Sequence, residues 1–344
     1  MRGLMRRTVL AAGAGVILLG PAAGVASAAG AAAVNAAAGS SGWSIQHVPQ
    51  PRGAMNPGLG GVSCPSGTAC TSVGAYNPRA GGASTLAEHW NGTRWSVQST
   101  PNPKTWSFLN AVSCSSASAC TAVGYYYPVA PGGAALTFAE RWNGKRWSIQ
   151  ATPNPAGQSG QLLGVSCPSA SACTAVGYDS SGTLAERWNG KRWSTQTTLN
   201  PAPKRKSQLL TDVSCPSAAA CIATGAYYNT SVGAEVTLAE HWNGRTWSIK
   251  STPNPTGATF SEAGNVSCTS VSACTAVGVY NTTSGSHILA ERWNGKRWSL
   301  QTTPNPAGAT SSSLGSVSCS SATACTAIGG SNVTGMLAER YASG

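Results

Sequence analysis

Twelve cysteines are the residues of this sequence best suited to chemistry, and they fall in six pairs of one spacing, C-x5-C. The pairs are Cys64 and Cys70, Cys114 and Cys120, Cys167 and Cys173, Cys215 and Cys221, Cys268 and Cys274, and Cys319 and Cys325. Paired thiols can hold zinc, cycle as a redox couple or close a disulfide. Zinc wants a tetrahedral set of Cys and His, and each pair stands without a paired His. Cysteines that flank a five-residue turn at the mouth of a hairpin come within disulfide reach. Six structural disulfides in an oxidising compartment are expected, and no metal.

The acidic residues are ten, and six of them repeat: Glu88, Glu140, Glu186, Glu240, Glu291 and Glu339, each two residues before a Trp or Tyr. A structural ion pair or hydrogen bond to a neighbouring Arg or backbone group is their expected role. That leaves Asp179, Asp212, Glu235 and Glu262. A glycosidase needs two carboxyl groups in one cleft, and a hydrolytic triad needs Ser, His and an acid to converge. Asp212 and Glu262 fall on neighbouring innermost strands, so a hydrolase or lyase acting on a polysaccharide near the axis is the alternative reading. Of the four histidines, His89 and His241 replace the repeat's Arg, His47 follows the first aromatic segment and His287 lies near a loop. No phosphate loop, H-E-x-x-H or EF-hand loop occurs. The chain is read as a non-enzymatic protein with no cofactor.

The elements that position these residues come from a repeat. First cysteines of successive pairs lie 50, 53, 48, 53 and 51 residues apart, a period that marks a repeat architecture. The second unit contains "FLNAVSC", "CTAVGYYY", "LTFAERW" and "RWSIQAT". Three of these pieces are rich in strand-forming residues, and the Asn-Gly between the last two is a strong hairpin signal. The connector "TPNP" ends the fourth strand, since proline cannot donate to a ladder. Four antiparallel strands in about fifty residues make one propeller blade. The expected fold is all-β, a six-bladed β-propeller. The segment "GWSIQHVPQP" from Gly42 reads as a lone fourth strand and "MLAERYASG" as a unit lacking one, so an N-terminal outer strand is expected to complete the last blade.

Residues 1–28 have a basic start, an apolar middle and the run Ala26-Ser27-Ala28, the features of an export signal. Residues 29–41 form an Ala-rich lead, and residues 42–344 the single propeller. No segment is apolar enough to span a membrane. The net charge is +12, and three arginines leave with the signal. A secreted monomer is expected, in the medium or associated with the envelope, with no nucleic-acid partner.

The turns sort onto two ends. One carries the near-invariant C-x5-C and "WNGKR" turns, with a ring of basic residues read as a solvated surface. The other carries loops that differ from blade to blade, and recognition resides more often in variable loops on a rigid scaffold. Arg79, Tyr126, Asp179, Tyr228, Glu235 and Tyr280 on that side are the candidate ligand-binding residues, and a glycan, an envelope polymer or a protein is the expected partner. The eleven motif tryptophans are read first as packing between blades, and otherwise as sugar-stacking platforms.

The combination of "LAERWNGxxWS", "TPNP" and "VSCxSxxxCxAVG" resembles exported repeat proteins of actinobacteria over essentially the whole mature chain. A more distant likeness is to six-bladed fucose-binding lectins of fungi and bacteria, whose blades carry a Glu before Trp-Asp-Gly and a second Trp. That likeness implies sugar held between blades, with Glu140, Trp142 and Trp147 as the matching residues of one blade. The Glu here stands two residues before its Trp where the lectins have three, and the lectins' Arg on the second strand has no counterpart in "CTAVGY".

Overall fold

Strand-forming segments separated by turns pair locally along the whole described chain. The computed structural model describes residues 46–154, 158–202 and 207–342, so the expected signal and Ala-rich lead lie outside the described residues. The first sheet unit holds β1 (Ala54–Ser66), β2 (Ala69–Pro78), β3 (Ser84–Trp90) and β4 (Trp95–Gln98). The second holds β5 (Trp106–Ser116), β6 (Ala119–Tyr127), β7 (Leu136–Trp142) and β8 (Trp147–Gln150). The third holds β9 (Gly160–Ser169), β10 (Ala172–Asp179), β11 (Gly182–Trp188) and β12 (Trp193–Gln196). The fourth holds β13 (Gln208–Ser217), β14 (Ala220–Asn229), β15 (Ala234–Trp242) and β16 (Trp247–Ile249). The fifth holds β17 (Phe260–Ser270), β18 (Ala273–Thr282), β19 (Gly285–Trp293) and β20 (Trp298–Leu300). The sixth has β21 (Ser312–Ser321), β22 (Ala324–Ser331) and β23 (Gly335–Ala342).

Within each unit neighbouring strands are antiparallel meanders. A single parallel bridge, Glu235 to Phe260, joins the fourth and fifth units. The fold is thus all-β, a propeller of repeated four-stranded antiparallel sheets.

Each recurrent residue has a local cause. At the Asn-Gly turn of the second unit, Trp142 sits opposite Trp147, and Gly144 takes a φ of 86° that a side chain would resist. The Asn143 carboxamide accepts from the Lys145 and Arg146 N–H groups, both at 3.0 Å. In "TPNP", the Asn154 side chain accepts from Thr137 N–H at 2.9 Å and so ties the connector to β7. Cys114 and Cys120 lie directly opposite across β5 and β6, and all six expected disulfides are formed.

The core lies between sheets. Strands β1, β5, β9, β13, β17 and β21 pack in series, and buried apolar side chains fill each interior junction. Leu109 and Val112 of β5 bury against Val73 and Ala87 of the first unit. Leu162 and Val165 of β9 meet Val123 and Ala139 in the same way.

The two ends of the series differ from the expected closure. Gly42 to Ile45 lie outside the described residues, Gln46 to Gln50 form no strand, and the sixth unit has three strands among the described residues. The outward face of the first unit is uncovered: Val62 is 61% exposed where the equivalent Val112 is 7% exposed. The outward face of the sixth is uncovered too, with Ile328 52% exposed where Val123 is fully buried.

Candidate functional site

The repeated polar residues act between blades. Glu140 is buried with neither carboxylate oxygen partnered. Glu186 accepts from the Thr137 hydroxyl of the preceding unit at 3.1 Å, and Glu240 from the Leu199 N–H at 3.2 Å. Burial pushes the carboxyls of Glu140, Glu186 and Glu291 up to about 8, and those of Glu88 and Glu240 up to about 7. The expected backbone hydrogen bond is present for Glu240, whereas Glu186 meets a threonine hydroxyl instead, and the expected arginine partner is elsewhere. The motif's Arg projects to the opposite face of the strand, over the aromatic ring of the next unit. Arg141 lies 4.9 Å from the Trp188 ring, Arg187 5.5 Å from Trp242 and Arg292 4.3 Å from Tyr341.

The tryptophans are mainly structural. The two Trp of each complete unit meet as a tilted pair, with centroids 5.8 Å apart for Trp142 and Trp147. The second member is buried from the second unit onward, and its indole can reach back: Trp147 Nε1 donates to Gln98 at 2.8 Å and Trp247 Nε1 to Gln196 at 3.0 Å.

Of the expected ligand-binding residues, Arg79 is exposed in a turn and lies against Gly53. Tyr126 packs edge-on against Phe138. Asp179 closes its own turn, accepting from Ser181 N–H at 2.7 Å and Gly182 N–H at 3.1 Å. Tyr228 and Glu235 stand opposite each other across β14 and β15. Tyr280 lies against His287, centroids 5.1 Å apart. These residues belong to five different units, and of the six only Tyr228 and Glu235 form a cross-strand pair. Burial raises the Glu235 carboxyl, and burial with the nearby Glu235 charge pushes Glu262 up to about 7. Asp212 is held by the next unit, its Oδ2 accepting from the Val266 N–H at 3.0 Å. Burial outweighs that bond and pushes the Asp212 carboxyl up to about 7.

Open space lies at the other end of the blades, beside the C-x5-C and Asn-Gly turns. A cleft of about 470 Å³ runs between the Gln98 to Pro101 connector and the hairpin carrying Trp142, Lys145, Arg146 and Trp147. A second, of about 390 Å³, lies between the fourth and fifth units, lined by His241, Trp242, Lys250, Trp293 and Lys296 among others. The sequence signal for the second cleft was available as departures from the repeat. His241 stands where the third unit has Arg187, Lys250 where it has Gln196, and Ile222 where it has Thr174.

No protein-family model matches the chain, and no curated protein matches it. Solved structures do. The chain is similar to the GH74 xyloglucanase from Xanthomonas campestris at 13% identity and a TM-score of 0.50, over 83% of this chain and 44% of that one. It is similar to U3-55K at 11% identity and a TM-score of 0.51, over 79% of this chain and 74% of that one. The chain therefore spans less than half the length of the xyloglucanase. At these identities the likeness establishes the class, a β-propeller, and nothing about activity. Six disulfides accord with an oxidising, non-cytoplasmic compartment. Among the described residues no helix is long and apolar enough to cross a membrane.

Proposed function

We propose that this protein is an exported, non-enzymatic binding propeller that contacts a glycan or a protein in the medium or at the cell envelope. One observation carries the reading: open clefts with aromatic and basic walls remain between blades whose other facing side chains are buried against one another. Trp142, Lys145 and Arg146 border one such cleft, and Trp242, Lys250 and Lys296 another. A rigid scaffold with open clefts suits recognition. Asp212, the first half of the alternative acid pair, is held by Val266, which favours binding over hydrolysis. The clefts on the turn end join the variable-loop end as contact surfaces.

The same reading closes the ring at six blades. Leu59 and Val62 on the first unit and Ile328 on the sixth occupy the positions that meet at every interior junction, and all three are exposed here, so closing the ring would bury apolar surface on both faces. The test is a glycan array together with an envelope-protein pull-down on the exported chain; absence of binding in both overturns the proposal.

A further inference from the structure

The junction between the fourth and fifth blades is built differently from its neighbours, and the difference leaves space. At the third-to-fourth junction, the Arg187 guanidinium covers the Trp242 ring and Gln196 takes the Trp247 indole N–H. One junction later His241 replaces the arginine and meets Trp293 edge-on, with centroids 4.4 Å apart. Lys250 replaces the glutamine, and the buried Trp298 Nε1 stands without an acceptor, as Trp193 Nε1 does at the second-to-third junction. His241 Nε2 is likewise buried without a partner. A cleft of about 390 Å³ lies beside these substitutions, within the range of roughly 300–1,000 Å³ usual for small-molecule sites.

The chemistry of its walls narrows the occupant. Lys250 and Lys296 supply two ammonium groups and no carboxylate lines the cleft, so an anionic group is favoured there. Asn243 and Ser248 offer side chains that can donate and accept. Burial and the nearby Lys250 charge push His241 down to about 4, so its imidazole is neutral at ordinary pH and adds no charge to the wall. Trp242 and Trp293 supply apolar wall.

We propose that this cleft binds a carboxylated sugar unit of an acidic polysaccharide, with Lys250 and Lys296 facing the carboxylate and Asn243 and Ser248 facing hydroxyls. This rests on the binding reading above and names its ligand class. A bare phosphodiester polymer would use the lysines and leave Asn243, Ser248 and the indoles without a role.

Trigalacturonate is the probe, titrated into the exported chain by calorimetry and by the fluorescence of the cleft tryptophans. The decisive variant restores the repeat: H241R/K250Q refills the cleft with the residues that other junctions carry, so folding is retained. The expected result is saturable binding to the parent, at least a tenfold loss in H241R/K250Q and in K296E, and weakening with added salt. Failure of the parent to bind trigalacturonate overturns the proposal, as does equal binding by H241R/K250Q or tighter binding of a glycerol-phosphate oligomer. If the parent binds some other glycan, and H241R/K250Q binds it equally, the cleft assignment falls while the binding propeller stands. If the parent binds no glycan and no envelope protein, both fall.

Discussion

The Ser113 hydroxyl accepts a hydrogen bond from the Cys167 backbone N–H, 2.9 Å away across the boundary between the second and third blades. The same bond recurs from Ser63 to Cys114, Ser166 to Cys215, Ser214 to Cys268 and Ser267 to Cys319. A hydroxyl in "VSC" therefore fixes the register of each blade on the next, at the point where the disulfide holds the hairpin. The motif is a joint between blades, repeated at every interior boundary of the described chain.

A sixth joint between Ser318 and Cys64 follows if the ring closes, and it gives the first prediction. In a closed ring Val62 and Ile328 are buried against each other's blades, so Val62→Asp and Ile328→Asp should each cost about 2–4 kcal/mol, the penalty for an unpaired buried charge. The double variant should cost less than the two together, because both remove one interface. Urea unfolding of a chain that light scattering finds monomeric provides the check. If each variant stays within about 0.5 kcal/mol of the parent, as exposed positions do, the faces do not meet.

The glycine of "AVG" offers a second prediction. A Cβ built on Gly177 would lie 1.9 Å from the Gln161 carbonyl oxygen, because the register shift beside it draws β9 close to β10. The contact is with backbone, so no rotamer change relieves it. Gly177→Ala should lower stability by about 3 kcal/mol or more, within the tail reserved for core strain. A melting temperature equal to the parent's would mean that the strands are not so close in solution.

The repeat period and the strand pattern of "FLNAVSC", "CTAVGYYY" and "LTFAERW" made the blades legible, because local pairing needs only strand propensity and a turn. The disulfides were legible for the same reason: Cys114 and Cys120 face each other through a turn they themselves bracket. Partners of the glutamates were not, since Glu186 meets Thr137, forty-nine residues away in sequence, and such a contact depends on how blades stack. The cleft at His241 is not legible in the sequence, because a substitution within a repeat reads as tolerated variation until the space beside it is seen.

The disulfides supply a third prediction. Each closes a short loop, with cysteines six apart in sequence, for which loop-closure entropy contributes about 2 kcal/mol. Replacing Cys167 and Cys173 together with serine should lower the unfolding free energy by about that amount and leave the far-ultraviolet circular dichroism unchanged. No effect on the urea midpoint would show that the hairpin is held without the bridge.

The buried glutamates make stability depend on pH. Glu140 has no partner for either oxygen, and burial pushes its carboxyl up to about 8 from an ordinary 4.5. Between these values the folded chain holds a proton that the unfolded chain releases, so stability falls as pH rises through that window and levels off above it. Glu186 and Glu291, also pushed up to about 8, act in the same direction. The protein should be more stable at pH 5 than at pH 8. Glu140→Gln carries no ionisable group, so it should flatten part of this slope and exceed the parent at pH 9 by roughly 1–3 kcal/mol. Urea midpoints at pH 5, 7 and 9 for both proteins decide the matter: parallel curves would mean that Glu140 ionises in the folded state as readily as in the unfolded chain.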